Sequence, residues 1–162
     1  MGLIIQTRSL FKFLNNSLYL FDNGNSTMPG IKIKRVYDKP ADDDGYRILV
    51  DRLWPRGLTK QKAAIDEWAK ELAPSSQLRN WFDHDPFYWE GFKEKYKDEL
   101  KQNQELDSFI KKHKDKKSIC LVYGTRYDKL THANILKEIL ERKYKSKARG
   151  MSQGDEKSRN RH

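Results

Sequence analysis

Two short segments concentrate the side chains that bind anions or move protons. The first is Asp51-Arg52-Leu53-Trp54-Pro55-Arg56-Gly57. The second is Gly124-Thr125-Arg126-Tyr127-Asp128-Lys129-Leu130-Thr131-His132-Ala133-Asn134. Arg52 and Arg56 carry guanidinium forks that match the paired oxygens of a phosphate or carboxylate. His132 is of the type that titrates near neutral pH, so it and Asp128 read as a general acid/base and its orienter. Asn134 is able to orient a carbonyl. Asp51, Trp54, Tyr123 and Arg126 complete the candidate binding set. The start of the last helix, near Thr131, adds unpaired backbone N–H groups that favour an anion.

The same residues also have a plain structural reading. The Trp54-Pro55-Arg56 turn can simply pack its indole and pair its arginine with Asp51. Asp128 or Thr131 can serve as a helix N-cap, and His132 can be a hydrogen-bonded helix-start histidine. A third cluster, Trp81-Phe82-Asp83-His84-Asp85-Pro86, suggests a metal ligand at His84. Adjacent residues point in different directions, however, and Asp85 before Pro86 fits a helix cap, so the cluster reads as structural. There is no glycine-rich phosphate loop, GxSxG, HExxH or CxxC, so no motif calls for a metal or a cofactor.

Elements must bring these segments together. Ile31 and Ile33 alternate with Lys32 and Lys34, the period of a half-buried strand. Residues 46–53 form a second strand, with Ile48-Leu49-Val50 buried on both faces. Residues 63–72 fit a short helix with Ile65, Trp68, Ala69 and Leu72 on one face. Ser75 caps a helix that turns Leu78, Trp81 and Phe82 inward. Trp89, Phe92, Tyr96 and Leu100 make one helical stripe, and Leu106, Phe109 and Ile110 mark another helix. Residues 118–123 are a continuous apolar run, the pattern of a central parallel strand. Its Cys120 should be a buried, inert thiol. The last helix spans residues 131–144, with Ile135, Leu136, Ile139, Leu140 and Tyr144 on one face. Strands separated by helices predict a layered α/β domain with a mostly parallel sheet flanked by helices. Ligands in such sheets sit beyond the carboxyl ends of the strands. If the second strand and residues 118–123 run parallel, both polar segments share that edge.

The bulk numbers bound the rest. A chain of 162 residues is one domain long. Its net charge of +10 is unevenly placed. Residues 142–162 hold eight Lys/Arg against Asp155 and Glu156, whereas residues 29–141 hold 23 basic and 20 acidic side chains. The domain's own charge is nearly balanced, so the basicity says little about what the domain recognises. We expect a disordered leader over residues 1–28, the domain over 29–145 and a disordered basic tail over 146–162. Met28, just before the first strand, is a candidate natural start. No run reaches the ~20 apolar residues of a membrane span. A single cysteine excludes an internal disulfide and suits a reducing, cytoplasmic setting.

Several of these motifs, in this order, resemble a known family. Asp44-Gly45-Tyr46-Arg47 is followed by Val50-Asp51-Arg52-Leu53-Trp54-Pro55-Arg56-Gly57. Then come Glu71-Leu72-Ala73-Pro74-Ser75, Leu78-Arg79-Asn80-Trp81-Phe82, His84-Asp85-Pro86 and Trp89. Together they resemble the YeaO-like branch of the domain-of-unknown-function family 488, over about residues 31–141. The resemblance implies a cytosolic α/β sheet domain and carries no established activity, cofactor or substrate. Another branch of that family bears a Cys-and-His motif after its later strand. Residues 121–134 here hold no cysteine, so thiol chemistry does not transfer.

Three functions compete at this level. The first is binding or turnover of a small anionic molecule, phosphorylated or nucleotide-like, at the sheet edge. The second is association with nucleic acid through exposed aromatics and lysine-rich segments. The third is a protein-interaction module.

Overall fold

The computed structural model describes residues 28–159; the leader expected over residues 1–28 lies outside them except for Met28, as do the last three residues. Four strands form one sheet in the order β1-β4-β2-β3. They are β1 (Gly30–Arg35), β2 (Tyr46–Leu49), β3 (Glu67–Trp68) and β4 (Ser118–Tyr123). Every pairing is parallel, with Ile31 opposite Ile119 and Ile48 opposite Leu121. The apolar run of residues 118–123 lies between two partners and is buried on both faces, as its composition predicts.

The alternation along β4 sorts the core into two layers. Ile119, Leu121 and Tyr123 face the larger one. There they meet Leu78 and Phe82 of α2 (Ser76–Phe82), and Phe92, Tyr96 and Leu100 of α3 (Trp89–Gln102). Leu106, Phe109 and Ile110 of α4 (Gln104–His113) join them, as do Leu136, Leu140 and Tyr144 of α5 (His132–Arg159). Cys120 and Val122 face the smaller layer, with Leu49, Ile65, Trp54 and Ala63 of α1 (Lys60–Ala63). Burial pushes the Cys120 thiol up to about 11, so it stays protonated and unreactive.

Caps fix the helix starts. The Ser75 hydroxyl accepts from the Leu78 N–H at 3.0 Å, and the Asp85 carboxylate accepts from the Phe87 N–H at 2.9 Å. Gly45, with φ of 74°, precedes β2 where it meets β4. A Cβ there would lie 2.0 Å from Ser118 Oγ, so only glycine permits this approach.

Four local expectations change. The second strand ends at Leu49 rather than reaching Leu53. Residues 63–72 are not one helix. Ala64, in the left-handed region at φ of 50°, ends α1, and Glu67–Trp68 then pairs with β2. Ile65, Ala69 and Leu72 are still buried, so the apolar spacing marked the core while misreporting the backbone. Trp81 does not turn inward; it is 41% exposed, with its ring against Tyr88 and over Gly91. Finally, α5 runs on to Arg159 rather than stopping at Tyr144. Residues 145–159 contain no proline and many good helix formers, which suits that extension.

Candidate functional site

Parallel pairing of β2 and β4 brings both polar segments to the carboxyl edge of the sheet. The Gly124 N–H donates to Asp51 Oδ2 at 2.8 Å, which joins the two strand ends directly. A Cβ on residue 124 would lie 2.8 Å from that same oxygen, so the close approach needs glycine. Asp51 Oδ1 lies 3.4 Å from His132 Nε2, and the Val50 carbonyl accepts from that nitrogen at 3.0 Å. With Nε2 donating, the neutral ring carries its lone pair on Nδ1. Tyr96 presents a ring edge to the imidazole at a centroid distance of 6.1 Å. The Trp68 indole donates to the Asp51 carbonyl at 2.7 Å and fixes the backbone beneath the carboxylate.

Above this pair lies a cavity of about 280 Å³ whose walls include Asp51, Arg52, Arg79, His84, Thr125 and His132. Arg52 reaches it from the end of β2, with Nε 3.4 Å from the Pro74 carbonyl and Nη2 3.5 Å from the Ala73 carbonyl. These long bonds orient the guanidinium without using all its N–H groups. The Arg79 side chain, on α2, makes no hydrogen bond or ion pair with the described residues, and its charge acts on Asp51 and His132. Asp83 and His84, at φ of 41° and 56°, form two consecutive left-handed residues that turn the imidazole of His84 to the cavity wall.

The other candidates fall elsewhere. Trp54 donates to the Leu58 carbonyl at 2.7 Å and packs edge-on to Trp68. Arg56 is exposed and away from the cavity; its carbonyl accepts from the Tyr37 hydroxyl. Tyr123 is buried in the larger core. Asp128 is not the partner of His132; its carbonyl accepts from the Asn134 amide at 2.9 Å, which ties down the loop before α5. Arg126 is exposed in a neighbouring hollow. Two cavity residues stand outside the expected binding set: Arg79 has no role in the sequence analysis, and His84 reads there as part of a structural cluster rather than as a metal ligand. The signal was present, since both sit in the linked motifs around residues 78–86, but nothing in spacing joins them to residue 51 or 132. Among the described residues, no three metal-ligating side chains gather into one group.

Burial sets the protonation of the central pair. It pushes the His132 imidazole below its ordinary 6.5, against the Asp51 carboxylate and the Val50 carbonyl. It pushes the Asp51 carboxyl above its ordinary 3.8, against His132 and the Gly124 N–H. Burial thus works toward the neutral form of each group. A histidine with a depressed folded pKa supports the fold fully above its unfolded value, and that support is lost as pH falls toward the folded one. The raised Asp51 works in the opposite sense, since the fold gains as pH falls from the raised value toward the ordinary one. His132→Gln should thus lose less stability than the parent chain between about pH 7 and about pH 5. Urea denaturation at both pH values measures this. An equal loss in the two proteins would assign the acid sensitivity to other groups.

A parallel α/β domain with a histidine–carboxylate pair in an arginine-walled cavity at the strand ends is the class of protein defined here. The profile of the inactive DUF488-N3 subclade matches residues 30–160, and the chain belongs to that family. It is 41% identical over 110 residues to the uncharacterized protein YeaO of Escherichia coli (strain K12), covering 68% of this chain and 96% of that one. It is 34% identical over 110 residues to the uncharacterized protein Rv3073c of Mycobacterium tuberculosis (strain ATCC 25618 / H37Rv), covering 68% and 92%. No solved structure matches it. No helix among the described residues is long and apolar enough to cross a membrane.

Proposed function

We propose that the protein binds a small anionic molecule, phosphorylated or nucleotide-like, in the cavity at the carboxyl edge of the sheet. The observation that carries this reading is the convergence of Arg79 and Arg52 on one cavity with the His132–Asp51 pair. Arg79 offers a guanidinium whose N–H groups are not used by the described residues. Arg52 offers a second, held in place by the Ala73 and Pro74 carbonyls. Neutral His132 contributes a polar edge and, when a dianion arrives, a site able to take up a proton. The family description, an inactive subclade, favours binding over turnover. Cys120, a free and buried thiol, suits the cytoplasm as the setting.

Removing Arg79 deletes a charge-assisted contact, which is worth roughly a tenfold to hundredfold change in affinity. Isothermal titration with inorganic phosphate and with ribose 5-phosphate should therefore show binding to the parent chain and a loss of that size in Arg79→Ala. The thermal stability of the variant should stay near the parent's, because the side chain bonds to no described residue. Unchanged affinity in Arg79→Ala, or no binding by the parent chain, would overturn the reading.

A further inference from the structure

The cavity does not end at His84. A second hollow adjoins it, walled by Arg35, Tyr37, Gly124, Arg126 and Tyr127, and it shares His84 and Thr125 with the first. We infer that the two hollows form one bipartite site for a nucleotide, with the phosphate on Arg79 and Arg52 and the base on the Tyr127–His84 side. This inference rests on the anion reading of the first cavity and adds the chemistry of the rest of the ligand.

The lining of the second hollow sets what it can hold. Its side chains are two arginines, two tyrosines, one histidine and one threonine, with no carboxylate and no amide. A planar ring suits it, because every nucleobase has a face to stack. The rings of Tyr127 and His84 lie 5.7 Å apart at 33°, an open pair of aromatic surfaces. Tyr127 and Tyr37 are both about half exposed, at 46% and 49%, and Tyr37 carries the Arg35 guanidinium at 5.5 Å from its centroid. Arg35 is itself fixed by donating from Nε to the Thr125 carbonyl at 3.1 Å. The guanidinium over Tyr37 therefore forms a rigid rim beside the platform rather than a freely moving charge. His84 is held by its left-handed backbone at the shared wall, where it faces both parts of a ligand that crosses from one hollow to the other.

The test compares four probes by isothermal titration on the full chain: ribose 5-phosphate, AMP, UMP and a short single-stranded oligonucleotide. AMP and UMP should bind at least tenfold tighter than ribose 5-phosphate, from stacking alone. Tyr127→Ala should erase that advantage and leave ribose 5-phosphate unchanged, and Tyr127→Phe should restore it. Arg79→Ala should weaken every probe. Equal binding of AMP and ribose 5-phosphate would overturn the bipartite site while leaving the anion reading intact. No binding of ribose 5-phosphate or of either mononucleotide would overturn both. The oligonucleotide separates the sources of the same chemistry. A per-site affinity well above AMP's marks a nucleotide within a strand, and an affinity equal to AMP's marks a free one.

Discussion

Asp44→Ala should cost about 3–5 kcal/mol of folding stability, because it leaves a buried guanidinium without its counter-charge. Arg47 is only 4% exposed and lies opposite Cys120 where β2 pairs with β4. Its Nε donates to the Ala64 carbonyl at 3.0 Å, its Nη2 to the Ala63 carbonyl at 3.1 Å, and its Nη1 to the Asp44 carboxylate. Asp44 also accepts from Lys34 at 2.9 Å and from the Ala41 N–H at 3.1 Å. Burial works against its charge, yet those hydrogen bonds hold its carboxyl below the usual range. Removing the carboxylate deletes the partner of two cations at once. Asp44→Asn keeps an acceptor oxygen and should lose less. Urea denaturation at neutral pH measures both. A loss under about 1 kcal/mol for Asp44→Ala would mean that water reaches Arg47 and replaces the carboxylate. The four residues Asp44-Gly45-Tyr46-Arg47 thus share one physical cause. They fasten the start of β2 to its neighbours: Asp44 as the anion, Gly45 by its contact with Ser118, Tyr46 by its hydroxyl at 3.5 Å from Glu67, and Arg47 as the buried cation.

Some of this architecture is written in local patterns and some is not. The apolar run at residues 118–123, the stripe Phe92-Tyr96-Leu100 and the Asp85 cap depend on neighbours along the chain, and each stands where its pattern puts it. The meeting of the Asp51 and Gly124 segments followed from parallel strands, a topological rule rather than a contact. The partner of His132 is different in kind. Asp128 is four residues away and Asp51 is 81 away, yet the pairing goes to Asp51 because β2 and β4 are adjacent and α5 begins above them. Sequence spacing carries no trace of that choice. Glu67–Trp68 escapes sequence patterning for a related reason: a two-residue strand has no period of its own, and the flanking Ile65 and Leu72 share a helical spacing by coincidence of burial. His113 shows the same blindness. It lies among Lys111, Lys112 and Lys114, yet it is fully buried with its ring nitrogens on the Phe109 carbonyl and Glu67.

Tyr96→Ala should cost a further about 3–5 kcal/mol, the range for truncating a large aromatic in a packed core. Tyr96 is fully buried against Phe92, and its hydroxyl donates to the Leu72 carbonyl at 2.6 Å. Burial holds its phenol well above the ordinary range, so it stays a donor at any pH the protein meets. Tyr96→Phe separates the two contributions. It keeps the ring and deletes the hydroxyl, so it should cost about 1–3 kcal/mol for the stranded carbonyl. The substitution also reaches the site, because the Tyr96 ring stands edge-on to His132. Desolvation is the main cause of the depressed His132 pKa, so a cavity that admits water beside the ring should let that pKa climb back toward the ordinary value. Tyr96→Phe, with the ring in place, should leave it nearly unchanged. An NMR titration of the His132 ring protons in both variants reads this directly. If the pKa rises in Tyr96→Ala alone, the core tyrosine is what keeps the site's histidine dry and neutral. If it stays put in both, the Asp51, Val50 and Arg79 side of the cavity governs the ring by itself.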